Sequence, residues 1–558
     1  MKKLLLSISF LIGASTLSAQ SFTWAKNMGG TSLDNGLSVA VDASGNVYTT
    51  GYFQGTADFD PGAGVSNLTS LGGTDIFISK LNAAGNFVWV KQLGGTNYDY
   101  ARSIAVSSTG NVYITGYFVG TADFDPGAGT FNLMSSGFDE VFVSKLDASG
   151  NFIWAKQMGG SSNDYGYSIA VDASENVYIA GGFQGTSDFD PSAAVSNLTS
   201  TGNYDIFISK LNLNGNFVWA KNMGSTAQDM ALCITLDPPG NVLTSGYFEG
   251  TADFDPSAAT YTLSSVNARD VFVSKLSSAG NFVWAKQIGG PGNQIANSIV
   301  TDASGNVYTT GSFENSADFD PNAGAFGMNS DGATDIFISK LNQSGLFGFA
   351  KRIGSIGFDY GRGITLDASG NVLTTGEFYD TVDFDPGVAT NSLVGLSPSS
   401  DAYISKLDGN GNFISAKSMG SASGSAIGNA IVSDAASNIY TTGYFSGTTD
   451  FDPNAGVFNL TPPGTQPDVF VLKMNSLSTG VIETTFGIVA TIYPNPVSSM
   501  LTIQTEETIE TVTVYNLLGA IVMEEKSNSF SVEQISKGVY TLQIKTVKGI
   551  STARFIKE

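Results

Sequence analysis

The string Asp-Phe-Asp-Pro begins at Asp58, Asp123, Asp188, Asp253, Asp318, Asp383 and Asp450, spaced by 65 residues five times and by 67 once. In an extended stretch, two aspartates one residue apart point the same way. The pairs Asp58 and Asp60, Asp123 and Asp125, Asp188 and Asp190, Asp253 and Asp255, Asp318 and Asp320, Asp383 and Asp385, and Asp450 and Asp452 could thus each begin an oxygen cage for Ca²⁺. No other cofactor is suggested. The same pattern also makes an Asx-turn followed by proline, in which the carboxylate accepts loop N–H groups. Both uses can hold for different aspartates.

The chain contains no histidine, which removes the commonest general base and every Ser-His-Asp or Cys-His arrangement. Its one cysteine, Cys233, has no partner for an internal disulfide. Any enzyme here must use carboxylates, Tyr, Lys or Arg. Paired carboxylates such as Glu249 and Glu314 could hydrolyse an extracellular polysaccharide. Catalysis needs unequal roles, however, and a repeat supplies equal ones. Arg102, Arg269, Arg352 and Arg362 fall at three different repeat positions, which argues against a converging arginine site. A formal charge of -23 with 26 Lys and Arg leaves no basic surface for nucleic acid.

Four β-rich runs recur in each repeat, illustrated by Ser103 to Val106 (a), Val112 to Phe118 (b), Val141 to Leu146 (c) and Phe152 to Gln157 (d). Short turns such as Asp147-Ala148-Ser149-Gly150-Asn151 join a to b and c to d, so each unit is expected to be a four-stranded meander. Strand d starts at Phe22, Phe87, Phe152, Phe217, Phe282, Phe347 and Phe413. Strand c starts at Asp75, Glu140, Asp205, Asp270, Asp335, Asp401 and Asp468. The chain therefore reads d, six complete units, then a, b and c. The expected fold is all-β: a seven-bladed β-propeller whose ring is closed by residues 22–30, followed by a small β-sandwich.

Antiparallel order puts the b–c and d–a connections on one rim, where function belongs. With Asp34, Asp99, Asp164, Asp229 and Asp359 added, 26 of the 49 carboxylates are expected there. At the end of strand b, Gln54, Val119, Gln184, Glu249, Glu314, Tyr379 and Ser446 stand in register. Of these, Gln54, Gln184, Glu249, Glu314 and Tyr379 are the candidates for binding an asymmetric ligand. The five tryptophans share one position of strand d and read as packing between blades. Cys233 occupies a small-residue position of strand a, shared with Ser38, Ser103 and Ser168.

Met1-Lys2-Lys3, an apolar run from Leu4 to Ile12, and Ser18-Ala19-Gln20 make a signal peptide over residues 1–19, cut between Ala19 and Gln20. No later segment has 18 unbroken apolar residues, so no transmembrane segment is expected. The remaining divisions are a propeller over 20–475, a linker over 476–492 and a C-terminal domain over 493–558.

Through motifs such as Asp42-Ala43-Ser44-Gly45-Asn46-Val47-Tyr48 and Gly51-Tyr52-Phe53, residues 22–475 resemble the bacterial β-propeller repeats first described as seven-bladed. That resemblance speaks to fold and hardly to function. Tyr493-Pro494-Asn495-Pro496, Asn516-Leu517-Leu518-Gly519, Gly538-Val539-Tyr540 and Phe555-Ile556-Lys557 resemble, in order, the type A C-terminal sorting domain of the type IX secretion system of the Bacteroidota. The resemblance implies handling by that machinery, passage across the outer membrane, and release or attachment at the cell surface. The expected function is an exported binding or structural scaffold for a protein or glycan partner. The alternative is a carbohydrate-active enzyme using paired carboxylates.

Overall fold

The computed structural model describes residues 20–396, 399–454, 456–476, 491–505, 508–516, 520–546 and 549–558. The expected signal peptide, Ala19 included, and most of the expected linker lie outside them. The described residues fall into two units that divide after Ser476. All their regular structure is β-strand.

In the first unit each repeat forms a four-stranded antiparallel sheet. Asp99–Val106 pairs with Val112–Phe118, which pairs with Glu140–Leu146, which pairs with Phe152–Gly160. The two middle strands are buried along their whole length, which is why they read as runs of Val, Ile, Phe and small residues. The hairpins follow from turn chemistry. Asp42 Oδ1 accepts the N–H groups of Ser44 and Asn46, both at 2.9 Å, and Gly45 takes the left-handed φ of +75°. Ser107 replaces that aspartate in the second repeat. There Glu175 of the next repeat reaches back to accept from Tyr113 Oη at 2.7 Å and from Lys145 Nζ at 2.8 Å.

Six sheets are built from consecutive strands. A seventh takes Ala426–Ser433, Ile439–Phe445 and Asp468–Ser476, with Gln20–Gly30 as its fourth strand. The first strands of successive sheets touch one another, and Ala426–Ser433 touches Asp34–Val41.

Neighbouring sheets are also joined through the backbone. The end of each strand d pairs with a short strand carrying the first aspartate of the next Asp-Phe-Asp-Pro motif. The seven pairings are Gly29 with Asp58, Gly94 with Asp123, Gly159 with Asp188, Gly224 with Asp253, Gly289 with Asp318, Gly354 with Asp383 and Gly420 with Asp450. Each short strand, such as Thr186–Asp188, forms a small hairpin with a second one, here Asn197–Thr199. These hairpins add to the four strands expected per repeat. At two or three residues each they are too short to show a period-2 pattern.

The phenylalanine of every motif is fully buried. Phe189, for example, packs at 4.7 Å from Phe207 and 5.4 Å from Phe183 between ring centres. The tryptophans bracket adjacent sheets: Trp24 Nε1 donates to Ala83 O and Trp154 Nε1 to Leu213 O, each in the c–d turn of the following sheet. Cys233 is buried with Sγ 3.4 Å from Ser245 O, and burial pushes its thiol up, so it is a packing residue.

The second unit has two sheets. Thr491–Tyr493, Met500–Gln504 and Ser529–Ser531 form one, and Ile521–Glu525, Ile509–Tyr515, Gly538–Thr546 and Gly549–Lys557 the other. Leu501, Ile503, Val512, Val514, Leu542, Ile544 and Phe555 belong to one buried cluster. Asn495 accounts for the pairing of the opening and closing motifs. Its Nδ2 donates to Arg554 O at 3.0 Å, and its Oδ1 accepts from Ile556 N at 2.9 Å. Tyr493, Pro494 and Pro496 flank this clamp; Leu517 to Gly519 lie outside the described residues.

Candidate functional site

All seven Asp-Phe-Asp motifs use their carboxylates in the same way. Asp58 Oδ1 accepts from Asp60 N at 3.0 Å and Ser66 N at 2.8 Å, and Asp60 Oδ1 accepts from Gly62 N at 2.8 Å. Asp123, Asp188, Asp253, Asp318, Asp383 and Asp450 repeat the first two bonds. Asp125, Asp190, Asp255, Asp320, Asp385 and Asp452 repeat the third. One oxygen of each aspartate thus orders the loop. Among the described residues, no three or more Asp, Glu or Cys gather as a metal cage would require.

The other acids are not displayed. The aspartates and the glutamate that open strand c, and the d–a aspartates, are at most 2% exposed. An exposed acidic rim is therefore the wrong picture of them. Asp34, Asp99, Asp164, Asp229 and Asp359 turn one oxygen inward to the N–H four residues earlier, as Asp99 does to Gly95 N at 2.7 Å. Asp99 also abuts Asp75 of the preceding sheet across Gly94. That glycine has φ +146°, and a Cβ on it would lie within 3.0 Å of both carboxylates. Burial pushes the carboxyls of Asp34, Asp99, Asp164 and Asp229 up to about 7 and that of Asp359 up to about 6. Burial, with the charge of Asp34 beside it, takes Asp468 up to about 8. At the two remaining junctions Gln294 and Ala426 stand where the others have aspartate.

The residues ending strand b serve this arrangement through their backbones. The N–H groups of Gln54, Gln184, Glu249 and Tyr379 donate to Asp34, Asp164, Asp229 and Asp359 at 3.0 to 3.4 Å. Their side chains engage nearby groups. Gln184 donates to Asn203 Oδ1 at 2.9 Å, Glu249 pairs with Arg269 Nε at 2.9 Å, and Glu314 accepts from Asn293 N and Nδ2. Glu249 and Glu314 therefore have separate partners rather than a shared centre.

A different position gathers residues from all seven sheets. Each strand a carries a β-bulge, and the extra residues are Leu37, Arg102, Tyr167, Leu232, Asn297, Arg362 and Asn429. A bulge re-aims the side chain it inserts. These seven side chains, all half-buried, line one cavity of about 220 Å³. The sequence reading missed them, although the signal was present. Small residues flank the position, as in Ala101-Arg102-Ser103 and Gly361-Arg362-Gly363, while the position itself changes chemistry from sheet to sheet.

The two arginines differ. Arg362 Nη2 lies 2.5 Å from Glu377 Oε1, so its charge is matched. Arg102 donates from Nη2 to Tyr117 Oη at 2.8 Å, and its guanidinium carbon lies 5.3 and 5.5 Å from the ring centres of Tyr117 and Tyr167. It forms no ion pair among the described residues, and its buried Nε has no hydrogen-bond partner. Burial opposes its charge, but Tyr117, Tyr167 and Tyr52 around it outweigh that and shift its pKa upward.

Residues 491–558 match the secretion system C-terminal sorting domain, and residues 88–117, 153–181 and 283–312 match the β-propeller repeat. The chain carries β-propeller repeats and a type IX secretion-sorting tail. The tail directs export across the outer membrane to the cell surface or extracellular space. An uncharacterised WD repeat-containing protein of Acanthamoeba polyphaga mimivirus is 24% identical over 64% of this chain and 31% of its own length. The regulatory protein FlaEY of Caulobacter vibrioides is 26% identical over 26% of this chain and 15% of its own. The matched segments thus span a third or less of these curated relatives. The solved structure of Sqt1 from Chaetomium thermophilum covers 82% of this chain and 100% of itself, at 10% identity and a TM-score of 0.34, which carries no further argument.

The buried aspartates make stability depend on pH in an unusual direction. In the folded chain they hold their protons to about pH 7, whereas the unfolded chain releases them near the ordinary 3.8. Their contribution is full below about pH 4 and is lost as pH rises through about 7. The thermal midpoint should fall between about pH 5 and pH 8, and Asp99→Asn should make the fall shallower. Equal midpoints at the two pH values would refute this.

Proposed function

We propose that the seven sheets are the blades of one closed seven-bladed propeller, and that the exported chain serves as a binding scaffold for an extracellular protein or glycan. The observation that carries this reading is the single cavity lined by one bulge residue from every sheet, with a different side-chain set on each side. Pairing of Gln20–Gly30 with Asp468–Ser476 supports the closure, because it covers an edge that would otherwise be raw. Asn429 Nδ2 supports it as well, donating to Asn35 Oδ1 and Gly36 O, both at 2.9 Å, across the same seam.

Deleting residues 20–30 should lower the thermal midpoint of the whole propeller, and an unchanged midpoint would sink the closure. The same melts run in calcium and in EDTA test the separate proposal that the Asp-Phe-Asp pairs take calcium through their remaining oxygens. Metal bound to the native state alone raises the midpoint, and identical curves end that proposal. A glycan array probed with the full chain tests the scaffold itself. Capture of glycans that are recovered uncut supports it, and shortening of the captured glycans would replace it with the enzyme reading.

A further inference from the structure

The cavity at the seven bulges has walls of unequal chemistry. Arg102 and Tyr167 come from successive sheets and lie against each other, whereas Leu37 and Leu232 offer only apolar surface. Asn297 Nδ2 is spent on Gly361 O at 2.8 Å, and Asn429 Nδ2 on the two acceptors of the seam. That leaves the side-chain carbonyl oxygens of both asparagines as acceptors. The cavity volume equals about seven waters of bulk liquid, at about 30 Å³ each. It suits a ligand the size of one sugar ring and is too small for a drug-sized molecule.

Arg102 defines the ligand's charge. In a chain of net charge -23, this half-buried cation lines a cavity with no carboxylate of its own and forms no ion pair among the described residues. A buried charge is stable when paired, and the planar guanidinium fork matches a carboxylate. The asparagine oxygens accept from hydroxyl groups, and the Tyr167 ring offers a flat apolar face. We propose that the cavity binds a monosaccharide-sized sugar acid, with its carboxylate on Arg102 and its hydroxyls on Asn297 and Asn429. This rests on the scaffold reading and names its ligand class.

Titration calorimetry on the full chain, with D-glucuronate, D-galacturonate, D-glucose and sulfate as probes, tests the site. At least one uronate should bind, and glucose, which lacks the carboxylate, should bind at least about 10-fold more weakly. Arg102→Gln should weaken the uronate by about 10- to 100-fold, and Arg102→Lys should recover part of the loss. Should Arg102→Gln fail to fold, Leu232→Glu puts a repelling carboxylate into the cavity while keeping the arginine, and it too should weaken binding. Each sample is melted alongside. No uronate binding to a wild-type chain whose tryptophan fluorescence melts in one transition overturns the site and leaves the scaffold standing. Uronate binding that the variants do not change, or sulfate bound as tightly as either uronate, overturns it as well. A wild-type chain whose tryptophan fluorescence, all of it from the first unit, melts in several steps removes the ring reading, and the inference with it.

Discussion

Everything in the larger unit depends on how one sheet holds the next. A four-stranded sheet has two edges, and packing between faces alone would leave the outer one exposed. Here the end of each strand d turns its backbone to the short Asp-Phe-Asp strand of the following sheet, from Gly29 with Asp58 to Gly420 with Asp450. The motif's three residues have distinct tasks. The first aspartate fixes the loop through two N–H groups, the phenylalanine enters the core, and the second aspartate closes the turn at proline. The glycines at the joint are required because carboxylates fill the space a side chain would take, as around Gly94, where Asp75 of the same sheet and Asp99 of the next one close in.

This division of labour separates structure from binding. The backbone pairing and the Asp-Phe-Asp turn of the joint are the same in all seven sheets, so they can hold the sheets but cannot distinguish one side of a ligand from another. The bulge residues stand outside that pairing, although Asn297 and Asn429 each spend an amide nitrogen on the next sheet. They sit outside the ladder, and their identities run from leucine through tyrosine and asparagine to arginine. Asymmetry is thus present where side chains from all seven sheets meet.

Much of this was legible in the sequence. Strand b of the second repeat occupies Val112–Phe118 as its recurring β-rich run indicated, and every strand c begins at its expected acid, because these elements recur in every repeat. The tryptophans and Cys233 are packing residues as read. Strand a extends back to Asp99 rather than starting at Ser103, with the β-bulge at Arg102 dividing the earlier residues from the β-rich run. Burial of the acids was missed for a related reason. Charge in the sequence points to solvent, and only the fold reveals that Asp75 and Asp99 face each other inside a joint where N–H groups replace water. The Asp-Phe-Asp pairs read in the sequence as turns, with cation ligands as the alternative, and their hydrogen bonds are those of turns.

If the joints bind the sheets into one cooperative body, weakening a single joint must be felt in all of them. Hydrogen exchange of the Asp188→Ala chain, compared with the unaltered chain, measures this directly. Protection should fall by the same factor in the buried middle strands of every sheet, including Val307–Phe313 and Ile439–Phe445, which are remote from residue 188 in the chain. Loss of protection confined to the two sheets that meet at Gly159 and Asp188 would contradict the account.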